Sequence, residues 1–326
     1  MRPTRAGIGL LLLLAAALPN ASADAAGEAA ASCRIGVNVA ALYDLEPTKG
    51  SFGADLWLWA SCPGRELSPL GRVDLPNARP GVEIGPAVGE AVPGGYYESQ
   101  RVRGHFRHGW DMRRFPFDRQ RLTIRLEEPA LDAGRLMFVP DVQDSFVSPA
   151  VAAELPEWRL AGFRVVSGID QPGSKYGFAE AQPSRYAWLE ATIELQRVGV
   201  LTFVKLTLPV FAAVVFAILC LAFDPRNPSS FQNQVAILVA VLFALIINHR
   251  RSDDVIGDVG RLTLVTEIHL VTILLTILVA VLAFLDQYRA ESGRPVRYPD
   301  RLAIGATSAG YAVVIAILIL AAAVPG

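Results

Sequence analysis

The residues whose types and spacing suggest chemistry fall in three places. Arg114 to Leu122 reads RFPFDRQRL, with Pro116 wedged between Phe115 and Phe117 and Asp118 directly behind them. A surface turn has no need of two large aromatics, and a core strand excludes proline. The stretch therefore reads as a rigid knob pressed against an apolar surface. Ionisable side chains also stand in or beside long apolar runs: Lys205, His249, Glu267 and His269. Such groups are costly if they face lipid, so Glu267 is expected to pair with Arg250 or Arg251. Last, Cys33 and Cys62 flank two strand-like runs joined by a turn near Glu46 to Gly50, which sets them opposite one another in an antiparallel hairpin. They read as a disulfide or as two free thiols, and Cys220, inside an apolar run, as a packed hydrophobe. No nucleophile–base arrangement or metal-ligand spacing appears, and the four histidines are scattered. The expectation is no enzyme, no metal and no cofactor.

The elements that must position these residues divide the chain in two. Its 326 residues suffice for two domains. A net charge of -1 leaves no concentrated basic face, so nucleic acid is not an expected partner. The mean hydropathy of +0.36 is concentrated after Val200. Residues 1–23 carry Arg2 and Arg5, a Leu/Ala run and Ala21-Ser22-Ala23, the pattern of a cleaved signal peptide; an uncleaved anchor helix is the alternative. Over 24–197 the apolar residues alternate, as in Cys33-Ile35-Val37-Val39, Phe52-Ala54-Leu56-Leu58 and Leu122-Ile124-Leu126, with Gly/Pro-rich stretches between. That predicts an all-β sandwich or barrel. Over 198–326 the sequence predicts four membrane-spanning helices, about 200–223, 231–249, 262–285 and 302–324. Arg289, Arg294, Arg297 and Arg301 mark the loop between the last two as cytoplasmic, which places the β domain and the C-terminus outside.

An exported β domain, four spans and FPFD followed by Gln120 between two strands resemble the pentameric ligand-gated ion channels, or Cys-loop receptors. Phe115, Pro116, Phe117, Asp118 and Gln120 match that family's signature loop in order. The bracketing cysteines are replaced by His108 and Leu122, as in bacterial members. Leu42 to Glu46 with Phe52 to Leu58, Glu194 to Arg197 ahead of the first span, and Pro209 within it are similar to bacterial members too. The resemblance runs from about residue 33 to the end. It implies an immunoglobulin-like extracellular sandwich above a four-helix bundle, assembled as a homopentamer in a bacterial inner membrane. It also implies that Phe115 and Phe117 lodge against the outer ends of the second or third span and that Pro116 stiffens the turn. Asp118 would face Arg197, with Asp44 or Glu46 completing the cluster, unless Asp118 merely caps its own turn.

The resemblance further implies a pore lined by the second span, with Val235, Val239, Leu242, Ile246 and His249 on one face. Such apolar rings gate by dewetting, and His249 is either a pH-sensitive ring or an interfacial polar residue. Phe231 to Gln234 stand where a glutamate ring marks cation-selective members, so the choice of permeant ion stays open, as does conduction itself. A non-conducting membrane sensor or scaffold is the rival reading. The ligand site would lie between subunits, with Trp57, Trp59, Phe146, Tyr176, Phe178 and Tyr186 as candidates for a small ligand; a proton is the other candidate stimulus.

Overall fold

The alternation of apolar residues becomes the inward face of a two-layered β domain. The computed structural model describes residues 30–171, 185–257, 262–296 and 301–324. The leader expected over 1–23, and Tyr176 and Phe178, lie outside them. The strands are β1 (Ala31–Glu46), β2 (Ser51–Cys62), β3 (Glu83–Ile84), β4 (Val88–Val92), β5 (Gly95–Arg107), β6 (Arg119–Asp132), β7 (Leu136–Pro140), β8 (Phe146–Val147), β9 (Trp158–Asp170) and β10 (Tyr186–Arg197). One sheet runs β3-β5-β2-β1-β7, with β4 on β5 and β8 on β1, and the other runs β6-β10-β9. Ile35, Val37 and Val39 of β1 and Leu56, Leu58 and Ala60 of β2 are buried on one side. Leu122, Ile124 and Leu126 of β6 and Leu189, Ala191 and Ile193 of β10 meet them from the other. A short helix, α1 (Pro149–Glu154), lies between β8 and β9.

The β1–β2 register pairs Arg34 with Ser61, which brings Cys33 and Cys62 to a Cα separation of 4.4 Å and into a disulfide. Cys220 is free and buried.

Four helices long and apolar enough to cross a membrane follow, the pattern of a multi-pass membrane protein. They are α2 (Leu201–Leu219, extended by a 3-10 turn through Ala222), α3 (Pro228–Ile256), α4 (Leu264–Glu291) and α5 (Arg301–Ala323). α2 keeps Pro209 in its interior. α3 opens with Asn227 accepting the Ser229 N–H at 3.0 Å and Pro228 in the first turn. It is longer than the expected 231–249. The apolar run stops at Ile247, but the polar residues beyond it contain no glycine or proline before Gly257. They carry the helix on until Gly257 ends it at φ 88°. Arg250 to Asp254, which lie beyond the end expected for the second span, are therefore a helical extension.

The bundle is joined by buried polar bridges as well as by apolar contacts. Asn248 of α3 donates to the Leu206 carbonyl of α2 at 2.8 Å and meets His269 of α4 at 2.9 Å. His269 is fully buried, and its other ring nitrogen stands 2.8 Å from the Val265 carbonyl. A carbonyl only accepts, so Nδ1 carries the proton and Nε2 accepts from Asn248. Gln234 donates to the Cys220 carbonyl at 2.6 Å, and Thr272 meets Tyr311 of α5 at 2.9 Å. Glu267 forms no ion pair with Arg250 or Arg251 among the described residues. The helical extension of α3 fixes where those arginines point, and both are exposed.

Closing a loop with a sequence separation of 29 is worth roughly 3–4 kcal/mol. Alkylation of the unreduced, denatured protein should label one cysteine, Cys220, and label all three only after reduction; mass spectrometry counts the adducts.

Candidate functional site

Arg197 closes β10 four residues before α2 begins, and its side chain is almost wholly out of water. A planar cation there needs acceptors at its edge and π faces above and below. The fold provides both. Asp118 Oδ1 takes the Arg197 Nε–H at 2.7 Å, Asp118 Oδ2 lies 3.3 Å from Nη2, and the Asp118 carbonyl accepts the Arg197 backbone N–H at 3.1 Å. Phe115 covers the guanidinium at 4.9 Å and Trp158 at 4.1 Å, measured to the ring centroids. Trp158 is the register partner of Arg197 on β9, so strand pairing places it there. The aromatic and the aspartate of the knob thus serve one cation.

Gln120 holds the knob in shape. Its amide donates to Asp118 Oδ2 at 2.8 Å and to the Asp111 carbonyl at 3.0 Å, while Oε1 accepts the Asp111 N–H at 3.2 Å. His108 stands 3.4 Å from the same Oε1, edge-on to Trp110 at 4.9 Å and to Phe52 at 6.1 Å. Burial pushes the His108 imidazole below its ordinary value of 6.5, against a smaller upward pull from the Gln120 hydrogen bond.

From this cluster and from the Pro47–Lys49 turn the contacts reach all four long helices. Phe115 is buried and packs on Phe203 of α2 at 6.4 Å. The Arg113 carbonyl accepts the Leu264 N–H at the start of α4 at 3.2 Å, and Arg114 donates to the Val324 carbonyl past the end of α5 at 2.9 Å. Glu157 receives Arg197 Nη1 at 3.4 Å and the Thr202 hydroxyl of α2 at 3.2 Å. Its carbonyl also caps the Val198 and Gly199 N–H groups. The turn at Pro47 to Lys49 meets the end of α3, where a Cβ on Gly257 would lie 3.2 Å from Thr48 Cα. Leu206, Ile256 and Val265 accordingly belong to the same apolar core as the β domain.

Several expected placements are corrected. Phe115 packs on Phe203 of the first span, a contact the resemblance did not name, because the chain leaves β10 straight into α2 beside the knob. Phe117 is not buried: 36% of it is exposed, since a turn closed from Phe117 N–H to the Arg114 carbonyl points it away from Phe115. Asp44 and Glu46 do not join Arg197. Asp44 stands 3.1 Å from His105, and Glu46 binds Lys49 at 2.8 Å, because the bulged end of β1 directs them outward. Glu157 takes their place. Glu157, Trp158 and Phe203 carried no local signal; only strand register and helix placement bring them in.

The chain matches no family model and no curated protein.

On α3 the stripe facing the bundle is Gln234, Leu238, Val241, Leu245, Ser252 and Ile256. Ala236, Phe243 and Ile247 stand opposite it by helical spacing and are exposed. Val239 and Ile246 are exposed on the flank, while Val235, Leu242 and His249 are half-buried. The His249 ring lies 5.3 Å from that of His269 and so leans toward α4. The partners of Gln234 on the turn after α2 and of Asn248 on α2 and α4 fix this rotation.

Among the described residues the candidate aromatics do not converge within one chain. Trp57 and Phe146 flank Asn38 on the outer face of the larger sheet, both exposed. Arg101 already lies 5.6 Å over the Trp57 ring. Trp59 donates to Asp141 at 3.0 Å. Tyr186 is on the other sheet, half-buried beside Asp132 and Asp170.

Breaking one partner of a buried pair costs about 3–5 kcal/mol. Asp118→Asn and Arg197→Met should each lower the unfolding free energy by that order, and the double variant should lose less than the sum, as a double-mutant cycle of thermal or denaturant unfolding will report. His108 gives a pH effect. Its folded pKa is depressed, so the unfolded chain binds more protons once pH falls below about 6.5. The stability it contributes is complete above that value and lost as pH drops through the folded pKa. His108→Gln should therefore flatten the fall of melting temperature between about pH 7 and about pH 5.

Proposed function

We propose that the chain is one subunit of a homopentameric ligand-gated ion channel of the bacterial type. A ligand or a proton would act on the β domain and open a pore lined by α3. The observation that carries this reading is the Arg197 cluster. A single buried ion pair, sandwiched between aromatics, joins the knob at 115–118, the end of β10, the start of β9 and the start of α2. The knob and the Pro47–Lys49 turn together reach every long helix. A shift of one sheet against the other cannot leave those helices unmoved, because the contacts are short, packed and shared. Trp57 and Phe146 on one sheet and Tyr186 on the other suit a ligand site completed by a neighbouring subunit. Orientation follows the basic loop between α4 and α5: the β domain outside a bacterial inner membrane, with the end of α5 on the same side.

In the closed state Val239, Leu242 and Ile246 would form the dry constriction, and tilting α3 would let water in. No hydroxyl interrupts Val235 to Ile247, and that greasiness favours the second reading, a sensor or scaffold of the same fold whose pore stays shut.

The protein in detergent should have a mass of five subunits, and in planar bilayers it should give unitary currents. Leu242→Ser should raise open probability several-fold by wetting the constriction. A monomeric mass excludes the assembly. A pentamer silent both as wild type and as Leu242→Ser leaves the scaffold.

A further inference from the structure

Glu267 is an unmatched charge on an apolar helix. The side of α4 that meets the bundle carries Leu264, Ile268, Thr272, Leu275 and Val279. Glu267 stands on the other side, in line with Leu270, Leu274 and Leu278, which are exposed. It is half-buried in the first turn of the helix, and no cation pairs with it among the described residues. A carboxylate on that face is costly against lipid, so it needs a partner from outside the chain.

An unmatched cation stands at the same height. Asn248 of α3 and His269 of α4 are 2.9 Å apart and mark a common level. Beyond it, the end of α3 and the start of α4 both meet the β domain, at Thr48 and at the Arg113 carbonyl. Arg251 is three residues nearer that end than Asn248, and Glu267 two residues nearer than His269. Both therefore lie about 3–5 Å above the shared level. Arg251 is exposed and has no carboxylate partner among the described residues.

Within one chain the two do not meet. The rotation of α3 sends Asn248 to the Leu206 carbonyl of α2 and leans His249 toward His269 of α4. Arg251, three residues past Asn248, falls on the α2 flank, away from its own α4. Arg250 and Asp254, one turn apart, point away from the bundle instead. Each copy thus carries a cation on one flank and an anion on another. Opposite charges on different faces join copies head to tail, the contact that closes into rings. We infer that Arg251 of one copy pairs with Glu267 of the next and sets which face of the helical bundle meets which. A face-to-face pair of copies would bring like charges together, so the same residues disfavour a two-fold dimer. The inference rests on the ring assembly proposed above and adds the contact that selects it.

Arg251→Cys with Glu267→Cys, in a Cys220→Ser background, tests it in membranes treated with diamide. The oxidant takes two electrons and two protons from each thiol pair, and a non-reducing gel should show a ladder of covalent oligomers. The two single variants co-expressed should give dimers and nothing larger, and either one alone should give none. Absence of the ladder, or a bridge confined to one chain, overturns the inference. If that sample keeps the wild-type oligomeric mass, the ring stands without this contact; a monomeric mass removes the ring as well. In detergent, Glu267→Arg should raise the concentration for half-dissociation by about ten-fold or more, and adding Arg251→Glu should restore it. A swapped double variant that melts like wild type yet stays dissociated likewise overturns the pairing.

Discussion

The structure depends on one enclosed cation. Removing a guanidinium from water is tolerable only where its hydrogen bonds and its faces are all matched. Arg197 meets that condition with Asp118 and Glu157 at its edge and with Phe115 and Trp158 over its faces. The partners come from two separate stretches of chain, the knob and the start of β9, and meet Arg197 at the end of β10. Each must arrive in place for the others to be tolerated. That mutual requirement fixes the knob against the β domain and, through Glu157 and Thr202, the β domain against the first long helix.

A second constraint operates among the helices. Between helices in lipid there is little hydrophobic drive, so packing and polar bridges decide which faces meet. Asn248 joins α2, α3 and α4 at once, and it can do so only with His269 neutral and protonated on Nδ1. On the same stripe Gln234 donates to the Cys220 carbonyl that follows α2. The rotation of α3, and with it the face left free, follows from these few polar groups more than from its many apolar ones. α5 is held more lightly; among its described residues only Ile315 is buried.

Much of this could be read from the chain alone. Period-two alternation marked the strands of the sandwich because one face of each meets the core. Long apolar runs marked four helices because hydrocarbon thickness sets their length. The hairpin turn between β1 and β2 also sets the register that joins Cys33 to Cys62, since a short turn leaves little freedom to slip. Asp118 and Arg197 were named through resemblance to a known family, and the fold brings them together.

Other features exist only in three dimensions. Glu157 and Trp158 reach Arg197 because β9 pairs with β10, a partnership between segments about forty residues apart that no local pattern encodes. The outward turn of Phe117, the displacement of Asp44 and Glu46 from the cluster, and the lean of His249 toward His269 follow from a tight turn, a bulge and a helix rotation. Residue type determined which groups had to find partners, because burial makes an unmatched charge or amide costly wherever it lies. Which partner each one found was decided by tertiary structure, since those costs are settled only when distant segments close on the same few ångströms.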